Sequence, residues 1–283
     1  MKPIIVTLLG ITLVSLTPVF GETPPETTNN HHFHDRISSI MKKTNETNIS
    51  AEIEFGRNLA ARLLGKYKLS KNTKLNKYVS LIGTGIAAQM GRPELNYYFG
   101  VIESNEMNAY ACPGGYIFIT TGAIKKMTNE AQLAGVLAHE ISHVNRKHVI
   151  KKIKFSSVSS STISEFSSIV GASSQTARLA MNQLLDQAMK VLLEKGLEKK
   201  EELESDTDGI QMLIALNYDW KPYASYLTIL GKTHGHNSKA VISKTHPTPT
   251  IRIAHIKNEL KSLGYIKNGG RRHESRFASY VKI

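Results

Sequence analysis

Hydrophobic residues from Ala51 to about Gln89 return every three to four positions in two blocks, AEIEFGRNLAARLLGKY and TKLNKYVSLIGTGIAAQM, separated by a Lys/Asn-rich turn. Apolar positions at that spacing share one face of a helix, so both blocks are expected as scaffold helices. The period then shortens to two. LNYYFGVIES alternates apolar and polar positions, and YIFITTGAI is rich in β-branched and aromatic residues, so each reads as a strand. Pro113-Gly114-Gly115 supplies a turn between them, which predicts an antiparallel pair. Helical spacing resumes after Thr128 or Asn129, either of which can cap a helix that carries Glu130 in its first turn. It recurs from about Gln175 to Ala215 and in PTIRIAHIKNELKSLGY. The expected fold class is therefore α+β, mostly helical, with a small antiparallel β-sheet beside the helix that follows Asn129.

Polar stretches divide these elements. Residues 22–50 are turn-rich and read as a linker, in which His31, His32 and His34 are solvated rather than metal-binding. Asn45 and Asn48 open N-x-S/T triplets, which matter only in a eukaryotic secretory host. Serine dominates the segment 155–168, and 233–245 is again polar; either could form a lid or a latency switch. No repeat of solenoid length is visible. The expected organisation is a leader at 1–21, the linker at 22–50, one domain at 51–265 and a basic tail at 266–283.

The leader has one lysine, no charge from Pro3 to Gly21, and Val19 and Gly21 at positions suited to signal-peptidase cleavage. The chain is expected to be exported, periplasmic in a bacterial envelope, and to begin near Glu22 once cleaved. A retained anchor is the competing reading, because the apolar run approaches the roughly 17 residues that can just span a bilayer. Cys112 is the single cysteine, which excludes an internal disulfide and leaves the core, with any metal, to supply stability. A net charge of +13 is spread along the chain and carried by lysine more than arginine. That allows weak contact with anionic membrane surfaces but, without a recognition motif, does not support nucleic-acid binding.

The stretch VLAHEISHVNRKH contains H-E-x-x-H. Residues four apart on a helix are rotated by only about 40°, so His139 and His143 can present imidazoles to one point, with Glu140 near enough to reach a water there. Catalytic zinc takes three protein ligands and keeps a position for water, so one ligand is still needed. His148, nine residues from His139, falls on the opposite face of a continuous helix and reads as a surface or second-layer residue. The metzincin pattern fails, because Arg146 stands at its glycine and Val149 at its third histidine. Glu202 and Asp206, four apart on a predicted helix, offer a carboxylate ligand and a second carboxylate able to orient a ligating histidine. Taken alone they could equally be a solvated acidic face.

Four blocks, NAYACPGGYIFITTG, LAGVLAHEISHVNRKH, EELESDTDGI with LNYDWKPYA, and THPTPTIRI, together resemble family 48 of the zinc metallopeptidases, a gluzincin group that includes the HtpX, CAAX prenyl endopeptidase and mitochondrial Oma types. In type the chain is most similar to periplasmic BepA- and LoiP-like proteases without a TPR domain. The resemblance implies one Zn2+ per chain held by His139, His143 and Glu202, with Glu140 as general base and Asp206 as the partner of a ligating histidine, His139. It implies that His246 and Arg252 lie near the cleft and act on the tetrahedral intermediate, with His246 alternatively closing the metal's vacant position. It also implies that an extended peptide is laid on Gly115, Tyr116, Ile117, Phe118 and Ile119 as an edge strand. Ser205 stands where the family often has alanine, and Cys112 replaces an apolar or small residue.

The implied activity is zinc-dependent hydrolysis of peptide bonds in extended or misfolded polypeptides, for protein quality control in the envelope. The alternative from another class is a zinc-stabilised chaperone or scaffold that binds such chains with little cleavage. Substrate identity and oligomeric state are not encoded in any motif.

Overall fold

Asn129 accepts a hydrogen bond from the Gln132 amide through its side chain and so starts α4, Glu130–Asn145, the helix around which the rest is arranged. The computed structural model describes residues 48–153, 174–233, 247–265 and 269–281. In chain order these form α1 (48–66), α2 (Thr73–Met90), β1 (Tyr98–Ile102), β2 (Ala109–Cys112), β3 (Tyr116–Thr120), α3 (Thr121–Lys125) and α4. After α4 come α5 (His148–Lys152), α6 (Gln175–Lys190), α7 (Lys199–Ala215), α8 (Lys221–Thr233), α9 (Pro249–Ser262) and α10 (Glu274–Tyr280). The mostly helical α+β class holds. No described helix is long and apolar enough to cross a membrane.

Within α4 every residue except Val136 and Asn145 is buried. Such a helix needs small residues where neighbours approach. Gly135 is one: a Cβ there would lie 2.5 Å from the Tyr223 ring of α8. Helix α7 packs along α4, and α2 covers another side together with the sheet. Leu133, Leu137 and Ile141 of α4 join Ile82 of α2, Ile119 of β3 and Leu213 of α7 in one core. Burying a side chain of this size stabilises by about 1.5–3 kcal/mol, which is what holds the motif helix rigid.

The sheet corrects the predicted pairing. Its order is β1-β3-β2, with β1 parallel to β3 and β2 antiparallel to β3, so it is mixed rather than antiparallel. The Pro113-Gly114-Gly115 turn reverses the chain, but the partner it supplies for β3 is the short strand β2, which the sequence pattern passes over. Ala-Tyr-Ala-Cys is too short, and its alanines too neutral, to show a period of two. Gly114 and Gly115 have φ of 71° and 96°, and a Cβ on Gly115 would lie 2.3 Å from the Asn96 carbonyl oxygen, so the turn requires both glycines.

Two further boundaries differ from the sequence expectation. The helical stretch expected from Gln175 to Ala215 is broken by a π turn at Val191–Lys195 and by Gly196 at φ 64°, and α7 restarts with a capping box between Glu198 and Glu201. The expected basic tail includes α10, whose Phe277 is buried and whose Tyr280 stacks on Tyr78 with ring centroids 4.4 Å apart. Ahead of it, the Arg272 carbonyl accepts from the amides of Glu130 and Ala131, two donors that α4 cannot satisfy internally.

Glu130 itself is fully buried and receives the hydroxyls of Tyr78 and Tyr218 and the fork of Arg276. Burial alone pushes its carboxyl up, but the hydrogen bonds from Arg276, Tyr78 and Tyr218 outweigh it and hold the pKa below the usual value. A depressed carboxylate contributes stability above its unfolded pKa of about 4.3 and loses it as pH falls through the folded value. Arg276→Ala is therefore expected to destabilise at pH 7 by about 1.5 kcal/mol, the low end for a charged hydrogen bond because Arg276 is half exposed. The loss should shrink in acid. Urea unfolding at pH 7 and pH 3.5 checks this, and an equal loss at both would contradict it.

Candidate active site

One turn of α4 separates His139 from His143, whose rings meet edge to face at 4.6 Å between centroids, with the two Nε2 atoms 3.0 Å apart. Helix α7 brings Glu202 over them. Gly209 of α7 faces the His139 backbone, where a Cβ would sit in ordinary contact, 3.4 Å from the nearest atom. Glu202 Oε2 is 3.4 Å from His139 Nε2 and Glu202 Oε1 is 3.6 Å from His143 Nε2. All three side chains are buried, and one ligand atom from each lies within 4.8 Å of the others.

This donor set fits a divalent metal. Two imidazole nitrogens and one carboxylate oxygen converge, which is the composition of a three-ligand catalytic site. Two nitrogen lone pairs and a buried carboxylate facing one point repel one another unless a cation lies between them. Burial and the Arg252 guanidinium both push His139 down, yet Asp206 and Glu202 outweigh them and raise it to about 9. The surroundings thus favour positive charge at this point.

Asp206 sits one turn beyond Glu202, and its Oδ1 lies 3.1 Å from His139 Nδ1. The other side of Asp206 is clamped by Arg252 of α9, whose Nε donates to Oδ2 at 2.8 Å and Nη2 to Oδ1 at 2.6 Å. Burial would raise the Asp206 carboxyl, but Arg252, with help from His139, holds it well below the usual carboxylate range. Tyr223 of α8 closes the group: its hydroxyl donates to Asp206 Oδ1 at 3.0 Å and accepts from Arg252 Nη2 at 2.9 Å. No spacing rule pointed to Tyr223, because its helix reaches the site only through packing against Gly135.

His148 departs from the continuous-helix extrapolation. α4 stops at Asn145, Lys147 takes a left-handed φ of 57°, and α5 begins at His148. The kink turns this histidine inward, to 1% exposure, with Nδ1 2.8 Å from Nδ1 of His143. Of the two readings of this residue, surface or second-layer, burial behind His143 leaves the second. Ser205 Oγ also approaches His143 Nδ1, at 3.1 Å. Cys112 is fully buried, and burial pushes its thiol far above the usual range, so it packs as a neutral side chain. His246, the serine-rich segment 155–168, His234 and His236, the leader and the linker histidines lie outside the described residues.

Strand 116–120 is not the edge strand implied by the resemblance. β3 is flanked by β1 and β2, so Tyr116, Ile117, Phe118 and Ile119 already spend their backbone groups on neighbours, and Gly115 belongs to the turn. The strand bordering the histidines is β2. Thr120 N donates to Asn108 O at 3.0 Å, which sets the alternation with β3. Tyr110 and Cys112 therefore turn their backbone groups to β3, while Ala109 and Ala111 turn theirs to the open side.

Glu140 lies between two clefts along that side. The first is walled by Val136, His139, Tyr226, Leu227, Leu230 and Arg252. The second is walled by Ala111, His143, Val149, Leu192, Leu197 and Glu202. Asn108, Ala109 and Glu140 border both. Two mostly apolar clefts meeting at one carboxylate beside three metal-binding groups can seat a chain running through, with a reacting bond at the junction.

The family described as Peptidase family M48 matches residues 73–260. The chain is 24% identical over 269 residues to the beta-barrel assembly-enhancing protease of Escherichia coli (strain K12), covering 93% of this chain and 53% of that protein. It is 25% identical over 226 residues to the mitochondrial metalloendopeptidase OMA1 of Schizosaccharomyces pombe, covering 78% of this chain and 65% of the relative. It is 23% identical over 198 residues to the metalloprotease YcaL of Escherichia coli (strain K12), covering 70% and 75%. The chain thus spans about half the length of the beta-barrel assembly-enhancing protease.

Proposed function

The chain belongs to peptidase family M48, and from that premise we propose that it is a zinc-dependent endopeptidase acting on extended or misfolded polypeptides. The observation that carries this reading is the convergence of His139, His143 and Glu202 beside Glu140, at the junction of two clefts along an open strand edge. His139, His143 and Glu202 would hold one Zn2+ per chain. When bound, the ion supplies Lewis acidity to the scissile carbonyl and to the attacking water.

The protein's own groups do the rest. Glu140 takes the proton from water as it attacks and returns it to the leaving amine, a shuttle open to a carboxylate on the same helix turn as the ligands. Asp206 fixes the His139 ring through Nδ1, and Arg252 keeps Asp206 ionised and in place. Arg252 is therefore proposed as a positioning residue rather than a direct contact of the tetrahedral intermediate. The substrate is proposed to add as a strand to the outer edge of β2, on Ala109 and Ala111, which requires an unfolded segment. His246 is proposed to stabilise the developing oxyanion when substrate is bound.

For setting, we propose an exported chain, with the leader at 1–21 removed, serving quality control in the bacterial envelope and touching anionic membrane surfaces weakly. The leader pattern supports this, as does similarity to a relative named for β-barrel assembly. The test of the site is metal content and casein cleavage. Glu202→Ala is expected to lose most of its zinc and its cleavage, whereas Glu204→Ala, at a third-exposed position near Arg146 and His148, removes no ligand atom and is expected to keep zinc at wild-type stoichiometry. Zinc lost from Glu204→Ala but held by Glu202→Ala would overturn the ligand assignment.

A further inference from the structure

His143 presents Nε2 to Glu202 and His139 and Nδ1 to the protein behind it. A neutral imidazole that gives one nitrogen to a metal must carry its proton on the other, and that N–H needs an acceptor. For His139 the acceptor is Asp206. Among the described residues, His143 Nδ1 meets His148 Nδ1 at 2.8 Å and Ser205 Oγ at 3.1 Å. The far nitrogen of His148 lies 3.4 Å from Glu204 Oε2.

We propose that His148 is a positioning residue for the metal centre, a neutral imidazole protonated on Nε2 toward Glu204 that accepts the His143 Nδ1–H and so fixes the ring orientation of that ligand. The inference rests on the zinc reading above and goes beyond it by giving the second histidine ligand its own support.

The proton count leaves one consistent arrangement. With His143 Nδ1 as donor, His148 Nδ1 must be the lone pair, which sends the His148 proton to Nε2, a buried atom 3.4 Å from Glu204 Oε2 but outside hydrogen-bond geometry with it. The fold enforces the contact. Lys147, at φ 57°, breaks the helix so that His148 returns over the ring of a residue only five positions earlier, centroids 5.0 Å apart. The two ligand histidines are thus supported unequally, His139 by an ionised carboxylate clamped by arginine and His143 by a second imidazole. An imidazole accepts more weakly than a carboxylate, so His143 should be the looser ligand.

The test uses the full chain loaded with zinc, and reads metal release to a chromogenic chelator together with the visible spectrum of the cobalt(II)-substituted protein. His148→Leu removes the acceptor; His148→Asn restores an oxygen where Nδ1 stood. Release is expected to be roughly 10- to 100-fold faster in His148→Leu and within a few-fold of wild type in His148→Asn. The cobalt spectrum should be altered in the first and restored in the second. Metal-free melting temperatures of the two variants show whether folding differs.

Equal release from His148→Leu and wild type, or a larger effect from Ser205→Ala than from His148→Leu, would overturn the proposal while leaving the zinc reading standing. A wild-type chain that binds no zinc would overturn both. If His148→Leu does not fold, nitrogen-15 NMR of the zinc-loaded wild type decides the matter: a His148 ring protonated on Nε2 supports the proposal, and one protonated on Nδ1 refutes it.

Discussion

Glu140→Gln is expected to hold zinc at wild-type stoichiometry and to lose roughly 10²–10⁴-fold in turnover on an unfolded substrate such as casein, the range for a positioned acid–base group. The two effects separate because Glu140 is not among the converging ligand atoms, which come from His139, His143 and Glu202. Glutamine keeps the size and much of the hydrogen bonding of glutamate, but it cannot take a proton from water. Initial rates at equal metal content make the comparison. A variant that turns over at the wild-type rate would remove Glu140 from the mechanism, and one that loses its metal would place it among the ligands.

The largest expected change in stability is at Arg252. Arg252→Ala leaves the fully buried Asp206 carboxylate without its cation, and breaking a buried pair from one side costs about 3–5 kcal/mol. Tyr223 loses the donor to its hydroxyl in the same step. The sign with pH follows from the depressed Asp206 carboxyl: its contribution is present above the unfolded pKa and is lost as pH falls through the folded value. The gap between Arg252→Ala and wild type should thus be widest near neutrality and narrow in acid. Urea unfolding of the metal-free proteins tests this without interference from the ligand. Asp206→Asn with Arg252→Met removes both charges, and it is expected to recover part of the loss, because neither partner is then left charged and alone. A loss below about 1 kcal/mol in Arg252→Ala, of the size found at exposed pairs, would show that water reaches Asp206 and that the clamp is dispensable.

The sequence by itself determined what is periodic. His139, Glu140 and His143 share a helix turn because positions one and four apart fall on neighbouring angles, and Glu202 and Asp206 share a face of another helix for the same reason. Such relations survive without tertiary contacts. The mostly helical α+β class and the scaffold helices before the sheet were legible on the same ground, and cap chemistry narrowed the start of α4 to Thr128 or Asn129, of which the structure uses Asn129. What only the tertiary structure decided lies where the chain leaves a period or meets itself at long range. His148 was extrapolated along a helix that in fact ends at Asn145, and one residue at positive φ, Lys147, sends it inward. Strand β2 was too short to register, and the family resemblance put the free edge on β3 rather than on Ala109 and Ala111. Arg252 turns to Asp206 from 46 positions away, and Arg276 reaches Glu130 across 146. No local pattern encodes those pairings, because each is set by which helix faces are left open once α4 is buried.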